Sequence, residues 1–91
     1  MKNINRIKIV MGRMAELLNF GGYSDWARSL QKLKLEIEGS FGPTVATILA
    51  MYGGMGSLND VVLYKDGQPL VEENIELDIL RCELYHLCHG I

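Results

Sequence analysis

Ninety-one residues with 48% hydrophobic and 22% charged side chains make one short domain, 1–91, with a core that needs no staples. The formal charge of −2 argues against a chain whose main partner is a nucleic-acid backbone or an anionic membrane surface, so neither is expected as a partner. No apolar run approaches the roughly 20 residues of a membrane span, and Asn3, Asn5, Arg6 and Lys8 interrupt any signal-like stretch.

The first segment, about Asn3 to Asn19, carries Ile4, Ile7, Met11, Met14 and Leu18 at steps of three and four, with Val10 and Leu17 beside them. That is one apolar stripe of an α-helix. The basic residues Lys2, Arg6, Lys8 and Arg13 read as its solvated face. Gly21 and Gly22 end it.

Ser24 reads as the N-cap of a second helix, with Asp25 near the positive end of its dipole. Trp26, Leu30, Leu33 and Ile37 fall in one narrow sector, and Gly39 stops the helix. The third helix spans Ser40 to Tyr52, with Pro43 in its first turn and Val45, Ile48, Leu49 and Tyr52 as apolar residues. It is apolar nearly all round, which predicts a central, buried helix.

Beyond a glycine-rich stretch, Val61 to Tyr64 and Gln68 to Val71 flank Asp66-Gly67, which predicts a short β-hairpin leaning on the helices. Pro69 restricts its second strand to an edge. An extra helical turn capped by Ser57 is the alternative for this region. Asn74 reads as the cap of a last helix running to Cys88 or His89. On that helix Leu77, Leu80, Leu84 and Leu87 form one stripe, while Ile75, Ile79 and Cys82 form a second on nearly the opposite side. Two apolar sides predict burial on both, the second by the hairpin or by another copy of the chain. The fold class is therefore mostly α, four helices with a short β-hairpin between the third and fourth.

Three groupings carry possible chemistry. The run Gly53-Gly54-Met55-Gly56 lacks the Gly-Lys-Ser/Thr ending of a phosphate loop and the spacing of a dinucleotide fingerprint. It reads as a corner in which Ser57, Asn59 and Asp60 satisfy backbone groups. Cys82, His86, Cys88 and His89 form the second grouping. Cys82 with His86, or His86 with His89, has metal-sharing spacing, but Cys82 and His89 lie about 10 Å apart along a helix. A structural zinc needs four ligands, so one chain is not expected to hold a metal, and no cofactor is expected. Cys82 and Cys88 are about 9 Å apart along the helix, too far for a bridge, and free thiols suit the cytoplasm. Ser57, Asp60 and a histidine make a triad only on paper, without a nucleophile elbow around Ser57. No catalytic residue is assigned and no enzymatic activity is expected.

The segments Gly22-Tyr23-Ser24-Asp25-Trp26-Ala27 and Tyr52 to Asp60, with Leu80, Leu84 and Tyr85 in the last helix, resemble a family of small bacterial proteins of unknown function. Its members are mainly helical and share a GGMGS-x-ND segment. The resemblance implies a bacterial cytoplasmic protein and brings no activity, cofactor or catalytic residue.

These readings favour a small non-enzymatic interaction domain that binds a protein partner or itself as a homodimer. Its candidate contact residues are Gly54, Met55, Gly56, Ser57, Leu58, Asn59 and Asp60, because Met55 and Leu58 are apolar residues in a loop. One alternative is a small-ligand or metal-binding regulator using the glycine corner or the Cys/His helix. Another, by analogy of size and charge, is a toxin-neutralising immunity-type protein.

Overall fold

The computed structural model describes residues 3–53 and 55–90. They form four α-helices: α1 (Ile4–Phe20), α2 (Ser24–Glu36), α3 (Phe41–Ala50) and α4 (Val71–Cys88). Between α3 and α4 lie a 3-10 turn (Leu58–Asp60) and the strands β1 (Tyr64–Lys65) and β2 (Gln68–Pro69). The predicted fold class is thus the observed one. Both readings of the 57–71 region hold side by side, a helical turn followed by a hairpin.

The stripe read on α1 is the core of the molecule. Ile7, Val10, Met11, Met14, Leu17 and Leu18 are all buried, and α1 packs along both α2 and α4. Gly22, at φ +88°, closes the helix: its N–H bonds the Asn19 carbonyl (3.2 Å) and the Tyr23 N–H bonds the Leu18 carbonyl (2.8 Å). These are the two hydrogen bonds of a glycine-terminated helix, and they turn the chain back into α2. Ser24 is already helical and makes no side-chain cap; Tyr23 holds the cap position.

Of the basic residues read as a solvated face, Lys2 lies outside the described residues, and Arg6, Lys8 and Arg13 are engaged rather than simply solvated. Arg6 makes a forked pair with Glu83 and Arg13 a forked pair with Glu76 (2.6 and 2.9 Å), while Lys8 meets Glu38. Arg6 and Arg13 are seven apart on α1, and Glu83 and Glu76 seven apart in the reverse direction on α4. The two pairs therefore set the antiparallel register of the helices. Hydrogen bonds from Lys8, Arg13 and Arg6 hold the Glu38, Glu76 and Glu83 carboxyls below their ordinary range. A depressed folded-state carboxylate gives stability that is present above its unfolded pKa, about 4.3, and is lost as pH falls through the folded value. Melting temperature should accordingly stay level from about pH 7 to 5 and fall below about pH 4.3, by a modest amount because the pairs are exposed. The double variant Glu76→Gln/Glu83→Gln should show a shallower acid limb; an identical limb would refute this assignment.

The third helix corrects the sequence reading. It is peripheral, burying Thr44 and Ile48, and α1 takes the central place. Three of its apolar positions, Gly42, Ala46 and Ala50, are small and lie exposed, and Phe41, Val45 and Leu49 are only partly buried.

The hairpin turns on Asp66 (φ +53°) and Gly67 (φ +75°), the left-handed pair of a type I′ turn, and pairs Tyr64 with Pro69 and Lys65 with Gln68. It leans on the helices as required. Leu63 is fully buried, and a β-carbon built on Gly21 would stand 2.6 Å from its Cδ2, so this approach needs glycine. Tyr23 Oη donates to the Val62 carbonyl (3.0 Å), and Lys65 Nζ sits 4.2 Å from the centroid of the Phe20 ring. Asn74 does not cap α4, which starts three residues earlier at Val71. Its amide instead accepts from the Leu63 N–H (2.7 Å) and donates to the Leu63 carbonyl (3.0 Å), imitating a strand neighbour.

Candidate functional site

The corner after α3 is built on backbone groups. After Ala50 the chain turns, and the Leu58 N–H reaches back to the Met51 carbonyl (2.8 Å). Asp60 Oδ2 accepts from the Gly56 N–H (2.7 Å), and Asn59 Nδ2 donates to the Tyr52 carbonyl (3.3 Å), so both satisfy the turn as read from sequence. Gly56, at φ +74°, supplies the left-handed step. Gly54 lies outside the described residues.

Beneath this corner sits a residue that the sequence reading missed. Arg81 is 8% exposed, and its guanidinium donates to the carbonyls of Leu58 (2.9 Å), Val61 (2.9 Å) and Asn59 (3.4 Å) and to the Asp78 carboxylate. Tyr52 Oη donates to the Arg81 carbonyl (2.8 Å), and burial pushes the Tyr52 phenol well above its ordinary pKa. At 100° per residue Arg81 stands only about 40° from Leu77 on α4. A lone arginine on the apolar sector of a helix was the available signal.

The corner's candidate contacts divide. Leu58 is fully buried in the core and Ser57 is buried, whereas Met55 is 99% exposed, with Gly56, Asn59 and Asp60 also at the surface. Leu58 is thus a core residue and not part of an exposed loop surface. The Ser57 hydroxyl has no hydrogen-bond partner among the described residues, so no base is positioned on it. A surface concavity of about 520 Å³ lies between the corner and α4, lined by Tyr52, Asn59, Asp78, Arg81, Cys82 and Tyr85 among others. The Arg81 guanidinium at its wall is engaged through Nη1 with the three carbonyls and through Nη2 with Asp78. Tyr85 packs against Tyr52 (5.2 Å between centroids) and His89 (4.4 Å) at its far end.

The second apolar side of α4 is the larger surprise. The leucine side faces the core, with Leu77 and Leu84 fully buried, but Ile75 is 57% exposed, Ile79 61% exposed, and Cys82 is exposed. Burial on both sides, as expected from the wheel, does not occur within one chain. Among the described residues neither the hairpin nor another element covers this face. Ile75, Ile79, Cys82, His86 and His89 follow one another at steps of four, three, four and three, the spacing of a coiled-coil seam. Leu77 and Leu84 take the position opposite that seam. The flanking acids Glu76, Glu83 and Asp78 are paired with Arg13, Arg6 and Arg81 of the same chain. The seam therefore has rims already neutralised from within. Among the described residues no helix is long and apolar enough to cross a membrane.

The chain belongs to the family described as Domain of unknown function (DUF6966), whose model matches residues 21–71, more than half of its length. The matched span runs from the end of α1 through α2, α3, the corner and the hairpin to the first residue of α4. No curated protein and no solved structure matches the chain.

Proposed function

We propose that the chain is a small, non-enzymatic interaction domain that works as a pair, docking on a second copy of itself through the outer face of α4. The observation that carries this reading is the exposed seam. Two isoleucines more than half exposed at heptad spacing leave apolar surface in water that a partner helix would remove. The neutralised rims favour a second copy over a strongly charged partner, since like surfaces then meet without net repulsion. An isologous contact also requires no second protein, and it is the commonest form of assembly.

Sedimentation equilibrium tests this directly. The wild-type chain should be dimeric at micromolar concentration. Ile79→Asp should weaken pairing by at least about 100-fold, because a carboxylate would be buried in the middle of the seam. Its helical circular dichroism should be unchanged, since residue 79 lies outside the core. A wild-type chain that stays monomeric up to high micromolar concentration would overturn the reading. If the chain were instead an immunity-type protein, the monomer would form a stoichiometric complex with the toxin it neutralises.

A further inference from the structure

The seam changes character along its length. Its first half is Ile75 and Ile79, and its second half is Cys82, His86 and His89, all exposed. Cys82 and His86 are four residues apart, one turn of helix, the spacing at which two side chains on one face share an ion. One chain supplies only these two to a common point. Among the described residues no three His, Cys, Asp or Glu side chains are grouped to hold a metal. A closed zinc-type site takes four ligands.

Resting on the pairing proposed above, we infer that two copies, with their α4 helices parallel about a two-fold axis, bind one zinc-type cation through Cys82 and His86 of each chain. Parallel pairing sets each layer against its own copy, so isoleucine meets isoleucine and ligand meets ligand. An antiparallel pair centred on the ligands would lay Ile79 against His89 and leave Ile75 beyond the contact. Two sulfurs and two nitrogens converging on the axis form the tetrahedral donor set that selects zinc among the common divalent ions. They hold it at about 2.3 Å and 2.0–2.1 Å. On binding, each Cys82 thiol releases its proton to solvent, and no electron is transferred.

Neighbouring groups narrow the ligand choice. Cys88 is half-buried and packs against the core, away from the seam. Both histidines touch the Tyr85 ring, His86 edge-on at 6.1 Å and His89 at 4.4 Å between centroids, so spacing makes the choice. His86 stands one turn from Cys82, whereas His89 lies about 10 Å along the helix from it. The metal gives the polar half of the seam a reason to be buried, since a thiol and an imidazole would otherwise weaken a helix contact.

Cobalt(II) titration of the reduced wild-type chain, followed by absorption and by sedimentation, tests the site. The expected result is one cobalt per two chains, a thiolate-to-cobalt charge-transfer band, and pairing tightened by about tenfold or more. Cys82→Ser and His86→Ala alter exposed positions, so the fold should persist while band and tightening are lost. Cys88→Ser should retain both. A wild-type dimer that takes up no cobalt, or a Cys82→Ser variant that still shows the band, would overturn the shared site and leave the pairing intact. One cobalt per chain without change in mass would also overturn it. A chain that is monomeric with and without cobalt would remove both the site and the pairing.

Discussion

Arg81→Ala should lower the melting temperature by roughly 12–24 °C, corresponding to about 3 kcal/mol in a domain of this size. The loss comes from what the guanidinium leaves behind. Leu58 and Val61 are both buried, and their carbonyls accept from a single Arg81 nitrogen at 2.9 Å. Removing the donor strands acceptors that water reaches poorly, at about 1–3 kcal/mol for each orphaned group. Asp78 loses its partner at the same time, but its side chain is 66% exposed, so that pair contributes little. Arg81→Lys separates the contributions. It keeps the charge but offers one compact ammonium in place of a planar fork, so it should recover only part of the loss. Urea denaturation of the three proteins checks the ranking. An Arg81→Ala variant within about 0.5 kcal/mol of wild type would mean that the corner is held by its apolar residues alone.

How much of this was legible in the sequence depends on what kind of fact is asked for. The stripe from Ile4 to Leu18 predicted the first helix, though not its central place, because side chains at steps of three and four have no alternative common face. Asp66-Gly67 predicted the hairpin, since two consecutive left-handed residues suit few other pairs. Periodicity then reaches its limit. It shows that Ile75 and Ile79 share a side of α4, but not that this side stays uncovered within the chain. It shows α3 as apolar, yet Gly42, Ala46 and Ala50 lose little by exposure, so apolar composition did not imply a central place. Arg81 was missed and Asn74 misread as a cap for a related reason. Both are polar residues whose partners are backbone groups far along the chain, Leu58 and Val61 for one and Leu63 for the other. Nothing local in the sequence announces such a partner. The candidate site shares this limit, because the seam is visible as spacing while its exposure is a property of the packed molecule.

The corner offers the sharpest contrast between two residues that the sequence treated alike. Leu58→Asp should unfold the protein or bring it close to unfolding, whereas Met55→Asp should leave stability within about 0.5 kcal/mol of wild type. Leu58 is fully buried, and its loss alone should cost about 2–5 kcal/mol before a carboxylate is placed in the cavity. That carboxylate must ionise without a partner or protonate at a further cost, so the total exceeds about 4 kcal/mol. A chain of this length has roughly 5–13 kcal/mol to lose. Met55 is 99% exposed, so an aspartate there desolvates nothing. Urea titration of both variants reads the difference, and a Leu58→Asp protein with an unshifted midpoint would contradict the buried placement. The same Met55→Asp protein then discriminates between the corner and the helix as the contact surface. If α4 forms the pair, Met55→Asp should sediment as wild type does while Ile79→Asp becomes monomeric. Loss of pairing in Met55→Asp, with the fold intact, would move the contact from the seam to the corner.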